Sequence, residues 1–128
     1  MILDSSAVVA IVLAEPQKPE LLQKIYAAGP AGIGAPTLVE TFIVLSSRLR
    51  GDPASLLEKL LLELDVEVIP FSDEHYRSAA TAFLRYGKGR HPASLNFGDC
   101  LSYAAVSVAG EPLLFVEADF TLTDLKQA

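Results

Sequence analysis

The chain has little that would cross-link it, bind soft metals or carry it into a membrane. It holds one cysteine, one methionine, two histidines and no tryptophan. Cys100 alone forms no internal disulfide, agrees with a reducing compartment, and reads as a small buried hydrophobe. His75 and His91 lie far apart with no ligand-spaced cysteine, which excludes a zinc-like set; they read as a helix-surface residue and a loop residue. Long hydrophobic runs are also missing. The longest, Ala7 to Ala14, is too short to span a bilayer, and Asp4 with no Lys or Arg before it argues against a secretory signal, which places the chain in the cytoplasm. Basic charge is scarce as well: 10 Lys and Arg face 16 Asp and Glu, for a net charge of -6, so a broad basic footprint for nucleic acid is excluded.

What is abundant is apolar surface. At 128 residues, 51% of them hydrophobic, the chain is long enough for one domain, residues 1–128, with a proper core and an apolar face left for a partner. An oligomer or obligate complex follows from that excess. The few basic groups are unevenly spread. His75 to Gly98 contains no Asp or Glu but holds Arg77, Arg85, Lys88, Arg90 and both histidines. Such a stretch suits either a local phosphate-facing flank or ordinary solvated charges.

Short apolar segments alternate with helical ones. Met1 to Leu3 reads as a buried strand, Asp4-Ser5-Ser6 as a cap, and Ala7 to Ala14 as a helix closed by Glu15-Pro16. A second helix spans about Pro19 to Ala28, and Gly32 to Ala35 is a brief strand. Pro36 opens a helix whose apolar face, from Leu38 through Phe42 to Leu49, ends at Gly51. Asp52-Pro53 starts another, and Val66 to Ile69, with Glu67 between valines, predicts an edge strand. Ser72 caps a helix ending at Gly87, Lys88 to Ser94 is a loop, and Asn96 caps a helix ending near Gly110. Leu113 to Val116 is the last strand, followed by an acid-rich tail from Glu117 to Asp124. The alternation predicts an α/β fold with a parallel sheet covered on both faces.

In such a sheet, helix N-termini and strand C-termini share the edge where ligands bind. Asp4 follows the first strand, Glu40 is near the start of the helix after the second, Asp99 is in the first turn of its helix, and Asp119 follows the last strand. All four therefore project at one edge. Taken singly, Asp4 is also an N-cap, Asp99 the acidic half of a capping box with Asn96, and Asp119 a surface acid. Glu40 interrupts an apolar helix face, where an unpaired carboxylate is expensive. Together they suit Mg²⁺ or Mn²⁺, because clustered carboxylates repel one another until a cation neutralises them, and a cation so placed promotes phosphodiester hydrolysis.

Three stretches resemble the PIN-domain ribonucleases of the VapC type, toxins of bacterial and archaeal type II toxin-antitoxin pairs. They are Leu3-Asp4-Ser5-Ser6-Ala7; His91-Pro92 through Leu95-Asn96-Phe97-Gly98-Asp99-Cys100, with Tyr103-Ala104 after it; and Leu113-Leu114-Phe115 with Asp119-Phe120 and Thr123-Asp124. The resemblance implies a PIN-like three-layer fold, a central mostly parallel short-stranded sheet with helices on both faces. It implies a Mg²⁺-dependent RNA endonuclease, with Mn²⁺ able to substitute, whose catalytic and metal-binding acids are Asp4, Glu40, Asp99 and Asp119, with Ser6 and Asn96 orienting them. It further implies an RNA substrate, a homodimer, and a cognate antitoxin lying across the site. The family often has Gly and then Asp or Asn before the closing Asp-Phe. Here those positions are Glu117 and Ala118, which leaves open whether Asp119 alone or Glu117 with it supplies the fourth acid.

Two other readings compete with this one. The Glu117-Ala118 departure would suit a catalytically degenerate PIN domain that only binds its antitoxin. A receiver-like signalling domain also gathers acids at a sheet edge, but Val66 to Ile69 is followed by Pro70, Phe71 and Ser72 before any acid. Tyr86, Phe97 and Phe120 are aromatics that suit either base stacking or the core.

Overall fold

The computed structural model describes residues 1–128. Four strands, β1 (Ile2–Leu3), β2 (Ala31–Gly34), β3 (Val66–Ile69) and β4 (Leu113–Leu114), form one parallel sheet in the order β3-β2-β1-β4. Six helices surround it: α1 (Ser5–Val12), α2 (Lys18–Ala28), α3 (Ala35–Leu49), α4 (Ala54–Glu63), α5 (Asp73–Tyr86) and α6 (Phe97–Ala109). A short 3-10 helix covers Ala118–Leu122. None of the helices is long and apolar enough to cross a membrane.

The two-residue period of a strand divides the core. Leu3, Ala31, Ile33 and Leu114 pack with Val8, Leu21, Ile25, Leu45 and Leu57, which come from α1 to α4. Ile2 and Leu113 point the other way, onto Ala82 and Tyr86 of α5, Tyr103 and Val106 of α6, and Phe120. The sheet is thus the middle of three layers. Gly32 lies on this second side, where an added Cβ would press on the ends of Ile69 and Ile2 at 2.7 and 3.3 Å.

Local chemistry explains most boundaries, and a few differ from expectation. The first helix begins at Ser5 and stops at Val12, with Ala14 taking a left-handed φ of 53°. At the end of α3 the left-handed residue is Arg50 (φ 52°), not Gly51. Only Leu113–Leu114 pairs as strand, because after Leu114 the chain turns across the sheet edge; the C-terminal residues return beside it, Leu113 N–H donating to Lys126 at 2.9 Å. His75 is not a surface residue. It is 6% exposed, its Nδ1 accepts from the Ser72 amide at 3.1 Å, and its ring lies 5.2 Å from that of Phe71. The cap that turns the ring back onto Ser72 buries it. Strand β3 is at the edge as predicted, with Glu67 exposed.

Strand order reverses once. From β1 the chain builds outward through β2 to β3, then returns to place β4 on the other side of β1. The carboxyl ends of β1 and β4 flank that switch, the position where open parallel sheets leave a crevice for ligands.

Candidate active site

Asp4 enters this crevice directly from β1, its amide bonded to the Leu114 carbonyl at 2.9 Å. It caps α1: Oδ2 accepts from the Ser6 amide at 3.0 Å and the Ser6 hydroxyl at 2.6 Å. The Ser6 hydroxyl oxygen in turn accepts from the Val116 amide at 3.1 Å, tying the cap to the chain leaving β4. The other Asp4 oxygen accepts from Ser102 of α6 at 2.6 Å. Asp4 is 3% exposed.

Asp99 is held by a reciprocal capping box at the start of α6. Its amide donates to Asn96 Oδ1 and its Oδ2 accepts from the Asn96 amide, both at 2.9 Å. That leaves Oδ1 free of protein partners. Burial pushes the Asp99 carboxyl up to about 6; the Asn96 amide opposes the shift, while the charges of Asp4, Asp119 and Glu117 add to it.

Oxygens of Asp99, Glu117 and Asp119 all lie within 4.8 Å of one another, so these three could hold a metal ion. Glu117 and Asp119 thus both come close to Asp99. Burial also raises the Glu117 carboxyl, reinforced by Asp4, Asp119 and Glu40 in that order. Asp4 and Glu40 are near enough to act on the cluster's charge without belonging to the closest trio. Glu40, half-buried on α3, leans against Gly98: a Cβ there would fall on its carboxylate. The donor set is all oxygen, which fits a hard divalent cation rather than zinc.

Around the acids the surface is mostly apolar. A groove of about 880 Å³ runs between α3, α5 and α6, with Glu40 and Phe97 in its lining. Phe97 is 82% exposed, whereas Tyr86 and Phe120 are buried in the core. The basic stretch is partly neutralised within the chain, Arg77 pairing with Asp73 at 2.8 Å and Arg85 with Asp124 at 3.4 Å. Asp124 also accepts from the Tyr103 hydroxyl at 2.8 Å, which fastens the tail bearing Glu117 and Asp119 to α6. Burial, and then Asp124, push the Tyr103 phenol up to about 12. Ser102 belongs to none of the recognised motifs; the bond that makes it part of the site spans 98 residues of sequence.

The PIN domain profile matches residues 1–125. Ribonuclease VapC36 of Mycobacterium tuberculosis is 43% identical over 127 residues, 98% of this chain and 91% of its own length. Among solved structures, VapC20 of Mycobacterium tuberculosis, a toxin cleaving the sarcin-ricin loop, superposes with a TM-score of 0.75 at 18% identity, covering 99% of this chain and 97% of that one. A toxin-antitoxin complex from Klebsiella pneumoniae gives 0.70 at 14% identity, covering 96% and 92%. At those identities the structural matches speak to the fold, and the sequence match speaks to kinship. The chain belongs to the PIN-domain family, together with the VapC ribonucleases.

Proposed function

We propose that the protein is a Mg²⁺-dependent RNA endonuclease, with Mn²⁺ as a working substitute, and the toxin of a toxin-antitoxin pair. The observation that carries this reading is the convergence of Asp99, Glu117 and Asp119 at the β1–β4 switch, within the electrostatic reach of Asp4 and Glu40. Asp99, Glu117 and Asp119, with Asp4 and Glu40 beside them, would hold the cation. When bound, it supplies Lewis-acid polarisation of the phosphate and of the attacking water. The chain's own groups prepare that chemistry. Asn96 fixes one Asp99 oxygen and leaves the other turned to the site; Ser6 fixes Asp4; the five carboxylates give a field that only a cation relieves. Phe97, exposed beside the acids, offers a face on which an unpaired base of the RNA can stack.

The partners follow from kinship and from the surface. The relatives are VapC ribonucleases, and a fold neighbour is a toxin-antitoxin complex. A cognate antitoxin would occupy the apolar groove beside Glu40, and a homodimer would cover exposed apolar residues outside that groove, Leu84 of α5 at 62% among them. The protein is read as cytoplasmic and as one domain over residues 1–128, and the family match over 1–125 supports the single-domain part of that reading. A degenerate domain is the weaker reading, since Glu117 adds an acid to the cluster where the motif departs.

The experiment uses purified protein freed of antitoxin, with Mg²⁺ or Mn²⁺ and RNA. Asp4→Asn and Asp99→Asn are expected to abolish cleavage. Parent-like cleavage by either variant, or cleavage by the parent in EDTA, would sink the proposal.

A further inference from the structure

Asp4 is held from two directions. Its Oδ2 is taken by Ser6, the ordinary cap of α1, but its Oδ1 depends on a donor from a distant helix, the Ser102 hydroxyl at 2.6 Å. Ser102 has no exposed surface. Its proton is committed to Asp4, so its oxygen is left to accept from the Thr37 hydroxyl, which lies 3.4 Å away and is itself 1% exposed. A hydroxyl in so dry a place costs desolvation that alanine would avoid, and here the return is a partner for a buried carboxylate.

The spacing gives the relay its meaning. Ser102 is three residues after Asp99 on α6, and Thr37 is three before Glu40 on α3, so each hydroxyl lies on the same helix face as its helix's acid. Thr37, Ser102 and Asp4 thereby join, below the surface of the site, the three elements that present Glu40, Asp99 and Asp4. We infer that Ser102, backed by Thr37, is a positioning residue of the reaction: it sets the separation of Asp4 from Asp99 and hence the size of the cation pocket. The inference rests on the nuclease reading above.

Its test is a double-substitution cycle on the full chain, with Mn²⁺ binding by calorimetry and Mg²⁺-dependent RNA cleavage as separate readouts. Ser102→Ala is expected to weaken Mn²⁺ binding and lower kcat roughly 10- to 100-fold, as loss of an orienting partner does at metal sites, while KM for RNA changes little. In an Asp4→Ala background, read by Mn²⁺ binding because cleavage is already lost there, the same change is expected to add nothing, because Asp4→Ala has already removed the acceptor of the Ser102 hydroxyl. Thr37→Val, which leaves Ser102 in place, is expected to give a smaller loss. Thr41→Val is the control: Thr41 is as buried as Ser102 but bonds only the Thr37 carbonyl, so it is expected to cost stability without moving either readout. Equal losses from Ser102→Ala and Thr41→Val, or full additivity with Asp4→Ala in Mn²⁺ binding, would overturn the positioning role. A parent protein with no Mn²⁺ binding sensitive to Asp99→Asn would instead overturn the nuclease reading and this inference with it.

Discussion

In the metal-free protein Asp99 sits where its charge is costly. Its carboxyl is raised from 3.8 to about 6, so between those values the folded state holds a proton that the unfolded chain releases. Stability from this group is therefore full below about pH 4 and is lost as pH rises through about 6. Asp99→Asn, which keeps an acceptor for the Asn96 amide, is expected to raise metal-free stability at pH 7 by about 1 kcal/mol, discounted for screening by water, and to flatten its pH dependence between 4 and 6. Thermal melts across that range check both. Mg²⁺ reverses the sign, since it competes with the proton: it should raise the melting temperature of the parent above pH 6, less below, and not that of the variant. Gly98 makes a second prediction. Alanine there meets the mobile end of Glu40, so the fold should persist with a far-ultraviolet spectrum like the parent's while Glu40 is displaced and Mn²⁺ affinity drops several-fold.

Two elements carry most of the site, and they were legible to different degrees. The start of α6 was readable because an Asn three residues before an Asp satisfies orphan amides by local geometry alone. Asn96→Ala should cost about 1 kcal/mol in chemical denaturation, because the Asp99 amide loses its side-chain acceptor, and should change metal binding little, because the backbone amide of residue 96 still holds the Asp99 carboxylate. The segment after β4 was not readable in the same way. Pairing stops at Leu114, the Val116 amide goes to Ser6 instead of a neighbouring strand, and Glu117 and Asp119 are carried by a short 3-10 helix fastened through Asp124 to Tyr103. Tyr103→Phe should leave α6 intact and loosen that fastening, lowering Mn²⁺ affinity without lowering helix content.

At the scale of the molecule, the excess of apolar residues in the composition is accounted for in two places. Part fills two cores on either side of a very short sheet. The rest remains outside, with Val39 and Ile43 of α3 and Phe83 and Leu84 of α5 at 43% to 62% exposure. If the proposed homodimer covers Leu84, outside the groove, Leu84→Glu should convert a dimer to a monomer in sedimentation velocity while leaving the melting profile cooperative; a parent that sediments as a monomer would remove the dimer from the proposal.

Local rules determined a great deal from sequence alone. Alternating short strands and capped helices dictated a parallel three-layer sheet, and edge geometry then put Asp4, Glu40, Asp99 and Asp119 on one side, since caps, breakers and strand ends depend on neighbours a few residues apart. Tertiary structure decided what depends on distant neighbours. It buried His75 under Phe71, drew Glu117 into the acids, set Gly98 against Glu40, and brought the Ser102 hydroxyl to Asp4. A hydrogen bond across 98 residues leaves no periodic trace in the chain, because only the packing of α6 against β1 and α3 brings its two ends together.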